Sequence, residues 1–141
     1  MKTIALIAHD KKKNEMLEFV GQELLTKFHL VATRTTGTLI NETFGLNVET
    51  MMSGPLGGDQ QIGAMIAEGK IDMLIFFCDN LAVQGHQNDV SALSRLASLY
   101  NIAYATDRTT ADMLLTSTLL GDESYQRIIP DCIQSYANRK L

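Results

Sequence analysis

The stretch SGPLGGDQQIGAMIAEGKIDMLIFFC, residues 53–78, holds a turn, a helix and a strand in succession. Three glycines and a proline precede Asp59, and a helical pattern follows at once. Ile62, Met65 and Ile66 recur at helical spacing, so Asp59–Glu68 is predicted to be a helix. Met73–Cys78 (MLIFFC) is an unbroken apolar run of strand length. Such runs suit strands buried on both faces of a parallel sheet. Turn, helix and strand in that order are most of one βαβ unit. The fold depends on whether the rest of the chain repeats it.

It does. Thr3–Ala8 (TIALIA) reads as a strand. A helix over Lys13–Phe28 follows, with Met16, Leu17, Val20, Leu24 and Phe28 on one face. Leu30–Thr33 is the second strand and Thr35–Thr43 a short helix. Asn47–Met52 is a weaker third strand. Beyond the fourth strand, Val90–Tyr100 reads as a helix, Ile102–Thr106 as the fifth strand, and Thr110–Leu119 as a helix. A last helix is expected over Ile133–Lys140. Alternating strands and helices with short loops form right-handed parallel units with helices on both faces. The expectation is one α/β domain over residues 1–141, a three-layer sandwich around a five-stranded parallel sheet. A chain of 141 residues can bury a sizeable core.

Composition narrows the partners. With 12 Lys and Arg against 16 Asp and Glu, the formal charge is −4. There is no global attraction to nucleic acid or an anionic membrane, so a bound anion must be held by a local cluster. No apolar stretch approaches the roughly 20 residues that span a bilayer. The opening run MKTIALIAHD is too short for a signal sequence and KKK follows it, so a cytoplasmic protein is expected. Cys78 and Cys132 lie far apart and form no CxxC pair, which fits reduced thiols. The seven methionines read as core filler.

In parallel α/β sheets ligands sit beyond the carboxyl ends of the strands. The residues there are His9-Asp10, then Thr33–Gly37, Ser53–Asp59, Asp79-Asn80 and Thr106–Thr109. Nearly every unusual residue of the chain falls on this edge. Helix N-termini attract anions through their free N–H groups. Hydroxyls at Thr33, Thr35, Thr36 and Ser53, the bare backbone of Gly54 and the charge of Lys13 would together suit a phosphate monoester. The same threonines could instead be simple helix caps. Dinucleotide and P-loop glycine patterns are both absent.

Asp59 also has two readings, an N-cap or a general base. Asp89 and His86 precede another helix, and His9-Asp10 ends the first strand. Carboxylates and imidazoles beside an anion-binding edge suit proton abstraction next to a carbonyl. A base must titrate well above the usual ~3.9 of aspartate. Desolvation and neighbouring carboxylates raise that value, while a helix N-terminus lowers it. A neutral His86 could polarise the carbonyl. His29 reads as a surface or packing residue, and of the KKK at 11–13 only Lys13 is a ligand candidate.

SGPLGGDQQIGAMIAEGKIDMLIFF, with AHDKKK, ATRTTGTLI and the TAD at 110–112, closely resembles the methylglyoxal synthase family over residues 3–141. The resemblance implies a single Rossmann-like α/β domain, assembly as a homohexamer, and no metal or organic cofactor. It implies conversion of dihydroxyacetone phosphate to methylglyoxal and inorganic phosphate, with phosphate also an inhibitor. By matching motif, Asp59 resembles the catalytic base, His86 the residue serving the enediolate oxygens, and Asp89 the second carboxylate. His9, Lys13, Thr33, Arg34, Thr35, Thr36, Ser53 and Gly54 fall on substrate-binding positions, and Asp10 and Asp79 on acidic positions lining the site. Arg139 matches an arginine that reaches the phosphate, in its own or a neighbouring subunit. The same domain type also serves as a non-catalytic phosphometabolite-binding regulatory module, which is the alternative expectation.

One stretch departs from the family. FFCDNLAVQGHQNDV keeps Asp79, Leu81, His86 and Asp89, but Asn80, Gly85, Gln87 and Asn88 stand where the family has prolines and their neighbours. Arg34 replaces a usual glycine, and Asp107 replaces a usual asparagine, which is expected to add negative charge near the site.

Overall fold

The computed structural model describes residues 1–82 and 87–140. Five strands, β1 (Thr3–Ala8), β2 (His29–Ala32), β3 (Glu49–Thr50), β4 (Met73–Phe77) and β5 (Ala103–Ala105), form one sheet in the order β3-β2-β1-β4-β5. Every pairing is parallel. The helices are α1 (Lys13–Val20), α2 (Arg34–Phe44), α3 (Gly58–Ala67), α4 (Gln87–Leu99), α5 (Arg108–Leu115) and α6 (Asp131–Ala137).

The period-two alternation of strand side chains divides the core into two layers. Ile4, Leu6 and Ala8 of β1, with Met73, Ile75 and Phe77 of β4, meet Met16 and Phe19 of α1, Ile40 of α2 and Leu115 of α5. Ala5 and Ile7, with Leu74 and Phe76, meet Ile62 and Ile66 of α3 and Leu93 and Ala97 of α4. The expected three layers are therefore present. β1 and β4 lie between them and are almost fully buried, as their unbroken apolar runs require.

Four elements differ most from expectation. The helix predicted over Lys13–Phe28 stops at Val20. Gly21 closes it by donating its N–H to the Leu17 carbonyl, and a separate 3-10 turn, Glu23–Lys27, buries Leu25. The apolar spacing continued through the break, so periodicity alone could not show it. The third strand shrinks to two residues at the sheet edge, paired with β2 alone among the described residues. α5 and α6 each begin and end earlier than predicted, because Asp107 caps α5 and α6 starts directly after Pro130.

Chain order reverses between β1 and β4. The path runs outward from β1 to β2 and β3, then returns to β4 on the other side of β1. That reversal opens a crevice at the carboxyl ends of β1 and β4.

Candidate active site

A cavity of about 300 Å³ occupies that crevice, lined by His9, Asp10, Lys13, Thr33, Thr35, Ser53, Gly54, Asp59, Phe76 and Asp79 among others. Each strand end delivers one part. His9 follows β1, Thr33 follows β2, Ser53-Gly54 follow β3, and Asp79 lies just past β4.

The helix starts remove the cap reading for Thr33. Thr33 sits at the N-cap of α2, yet its side chain caps nothing. Ser53 likewise precedes the 3-10 turn Gly54–Leu56 without a side-chain cap. Their hydroxyls are not spent on the helix ends beside them. Lys13 is largely buried, and its Nζ donates to the Ala8 carbonyl at 2.7 Å and pairs with Asp10 at 3.3 Å. The Asp10 carboxylate itself is 98% exposed, so solvent screens it, while Lys13 lines the cavity.

Asp59 is not a cap. Gly57, with φ of 107°, holds the N-cap position of α3, and Asp59 is one residue inside the first turn. The residue is only 2% exposed and lines the cavity. The glycines that precede it have distinct duties. Gly57 takes a backbone conformation that side chains disfavour. A Cβ on Gly58 would overlap the Met52 carbonyl oxygen, so this position exists for packing. A Cβ on Gly54 would lie 3.3 Å from Asp59 Oδ1. The absence of a side chain at Gly54 thus keeps one approach to the carboxylate open.

Gln60 and Gln61 carried no sequence expectation, and the structure gives both a task. Gln61 Oε1 accepts the Met52 N–H at 2.7 Å and ties the turn to α3. Gln60 Nε2 donates to Asp89 Oδ1 at 2.6 Å and links α3 to α4. Three consecutive residues therefore point to the cavity, to α4 and to the strand end. The polar pair opening an otherwise apolar helix was the available signal. Phe76, whose ring meets His9 edge-on with centroids 5.2 Å apart, gave no signal within its apolar run.

Not every predicted residue reaches this cavity. Asp89 lines the adjoining groove between α3 and α4 together with Asp59. Arg34 donates its Nε to the Met51 carbonyl at 3.3 Å on the outer surface. Thr36 is buried within α2, and its hydroxyl has no hydrogen-bond partner among the described residues. Arg139 folds back over the Tyr136 ring, 3.7 Å from its centroid, and donates to the Tyr136 carbonyl. His86 lies outside the described residues. Asp107 is a helix cap, accepting the Thr110 N–H at 2.8 Å and the Thr110 hydroxyl at 3.0 Å.

Behind the site, burial pushes the Cys78 thiol up to about 11, with the Asp59 carboxylate adding to the effect. The thiol stays protonated there. Among the described residues no three His, Cys, Asp or Glu side chains gather to hold a metal ion. No helix is long and apolar enough to cross a membrane among those residues.

The cavity therefore brings together hydroxyls, one ammonium, the bare backbone of Gly54, a buried carboxylate and an imidazole. The chain is similar to known proteins over nearly all of its length. Residues 15–106 match the family described as MGS-like domain. A methylglyoxal synthase of Proteus mirabilis is 52% identical, covering 99% of this chain and 92% of its own. One from Clostridium beijerinckii is 54% identical over 79% of this chain and 96% of its own. The crystal structure of methylglyoxal synthase from Elizabethkingia anophelis superposes with a TM-score of 0.89 at 48% identity, covering 99% of this chain and 92% of that one.

Proposed function

This chain belongs to the methylglyoxal synthase family, and we propose that it converts dihydroxyacetone phosphate to methylglyoxal and inorganic phosphate as a carbon–oxygen lyase. The observation that carries the reading is the buried Asp59 carboxylate, open past Gly54, in a cavity with hydroxyls and Lys13.

In this reading Thr33, Thr35, Ser53, the Gly54 backbone and Lys13 hold the phosphate. Arg34 and Thr36 belong to the same end by family resemblance, and Arg139 joins it from this subunit or the next. Asp59 takes a proton from the hydroxyl-bearing carbon next to the carbonyl. That C–H bond breaks and its electrons form the enediolate double bond, with charge on oxygen. His86 and His9 serve the oxygens, and Asp89, held by Gln60, is the second carboxylate. Asp10 and Asp79 line the approach. The C–O bond to phosphate then breaks, phosphate departs with the electron pair, and the remaining enol rearranges to methylglyoxal.

The geometry of the phosphate grip decides the product. Elimination needs the breaking C–O bond out of the enediolate plane, aligned with the π system. Donors fixed at the strand ends select that rotamer before the proton is lost. No step calls for a metal or an organic cofactor.

Assembly as a homohexamer and a cytoplasmic setting are parts of the same proposal. No side chain of α6 is buried, although isolated helices this short are unstable. Packing of α6 on a neighbouring copy accounts for this.

The test is to incubate the purified protein with dihydroxyacetone phosphate and follow both products. Methylglyoxal and phosphate in equal amounts support the synthase. Tight binding of a phosphate analogue without turnover would instead favour the regulatory-module reading.

A further inference from the structure

At the end of β1 a side chain takes over a bond that the backbone gives up. Ala8 pairs with Phe77, and the His9 N–H donates to the Phe77 carbonyl at 3.1 Å. The next bond of a parallel ladder would run from the Asp79 N–H to the His9 carbonyl. That carbonyl is turned away and accepts the Lys12 N–H at 2.8 Å, closing the 3-10 turn Asp10–Lys12. The Asp79 N–H donates to His9 Nδ1 instead, at 2.9 Å.

A backbone amide can only donate, so Nδ1 must be an acceptor. The proton of the neutral ring then sits on Nε2. Rotating the ring by half a turn would place a carbon against the amide. The Phe76 ring, nearly perpendicular at 81°, holds the imidazole from the side. His9 is 8% exposed, so water is a poor substitute partner. Tautomer and orientation are therefore both set by the protein before any ligand arrives.

We propose that His9 divides its nitrogens, with Nδ1 fixing the ring on the Asp79 amide and Nε2–H acting as a pre-set, uncharged hydrogen-bond donor to the substrate. An imidazolium would carry a proton on Nδ1, aimed at the Asp79 N–H, and two donors would then oppose each other. His9 thus donates a hydrogen bond without becoming a base, which leaves proton removal to Asp59. The backbone of Asp79, not its carboxylate, is the positioning element. The ligand part of this inference rests on the proposed function, whereas the tautomer is a property of the free protein.

Long-range proton–nitrogen NMR on the uniformly labelled protein near neutral pH tests it directly, with His9 identified by signals lost in His9→Asn. The expected result is a protonated Nε2 and a bare Nδ1, unchanged when inorganic phosphate is added. A proton on Nδ1, or on both nitrogens, would overturn the proposal. The Asn variant supplies a second readout, because its Oδ1 can accept from the Asp79 N–H while nothing replaces Nε2–H. The Asp79 amide should exchange slowly with solvent in wild type and His9→Asn alike. Turnover of dihydroxyacetone phosphate should nevertheless fall by about 10²-fold or more in that variant, as for loss of a positioned oxyanion donor. His9→Asn with wild-type turnover would also overturn it. A wild-type protein inactive toward this substrate would sink the proposed reaction while the NMR result still decides the tautomer.

Discussion

Gly54 and Gly58 lie in one glycine-rich turn, and their environments predict opposite phenotypes. Gly54→Ala places a methyl 3.3 Å from the Asp59 carboxylate without striking the backbone. The protein should fold normally and lose turnover, read as an unchanged denaturation midpoint with a reduced kcat/KM. Gly58→Ala drives a methyl into the Met52 carbonyl, and overpacking of this kind costs roughly 1–3 kcal/mol. Its urea midpoint should fall. Cys78 gives a third test at this scale. Burial and the nearby Asp59 raise its pKa to about 11, so little thiolate exists at pH 8. Folded protein should resist alkylation at Cys78, and unfolded protein should react, which mass spectrometry of the peptide resolves. That SGPLGGD lies at the sheet edge, where a cavity opens, was legible from the order of strands and turns. Which glycine serves packing and which serves access was not, since both answers come from atoms brought close only by folding. Asp59 illustrates the same limit: cap and base look alike in sequence, and the cap reading falls only because Gly57 holds the N-cap position.

Among the elements, α5 shows what one residue that departs from the family pattern does in the fold. Asp107 accepts two hydrogen bonds from Thr110 and starts the helix. Asp107→Ala should cost about 1 kcal/mol, typical of a lost N-cap, and leave kcat/KM nearly unchanged. A large loss of activity at unchanged stability would return Asp107 to the site. Strand positions were readable because buried parallel strands are long apolar runs, as in TIALIA and MLIFFC. β3 was overextended, for an edge strand pairs on one side only and its length is set by its neighbour. The continuous apolar spacing across Gly21 hid the end of α1. Gln60 and Gln61 were invisible for a related reason: their partners, Asp89 and the Met52 amide, lie on other elements.

For the whole molecule, alternation of strands and helices fixes the functional edge, and the reversal between β1 and β4 chooses the place along it. That edge is legible without strand order, because every strand pairing is parallel. Assembly is a separate prediction. Sedimentation should report six times the 15.6 kDa chain mass, with α6 covered in the assembly. Free phosphate should compete with substrate, since hydroxyls, Lys13 and bare backbone suit either anion; millimolar phosphate without effect would remove that cradle. The central claim is that Asp59 removes the proton, and Asp59→Asn tests it most directly. The amide keeps the shape of the carboxylate and cannot act as a base. The account predicts a fall in methylglyoxal formation of about 10²–10⁴-fold, the usual worth of a general base, with binding of a phosphate analogue retained. Near wild-type turnover in Asp59→Asn would contradict it.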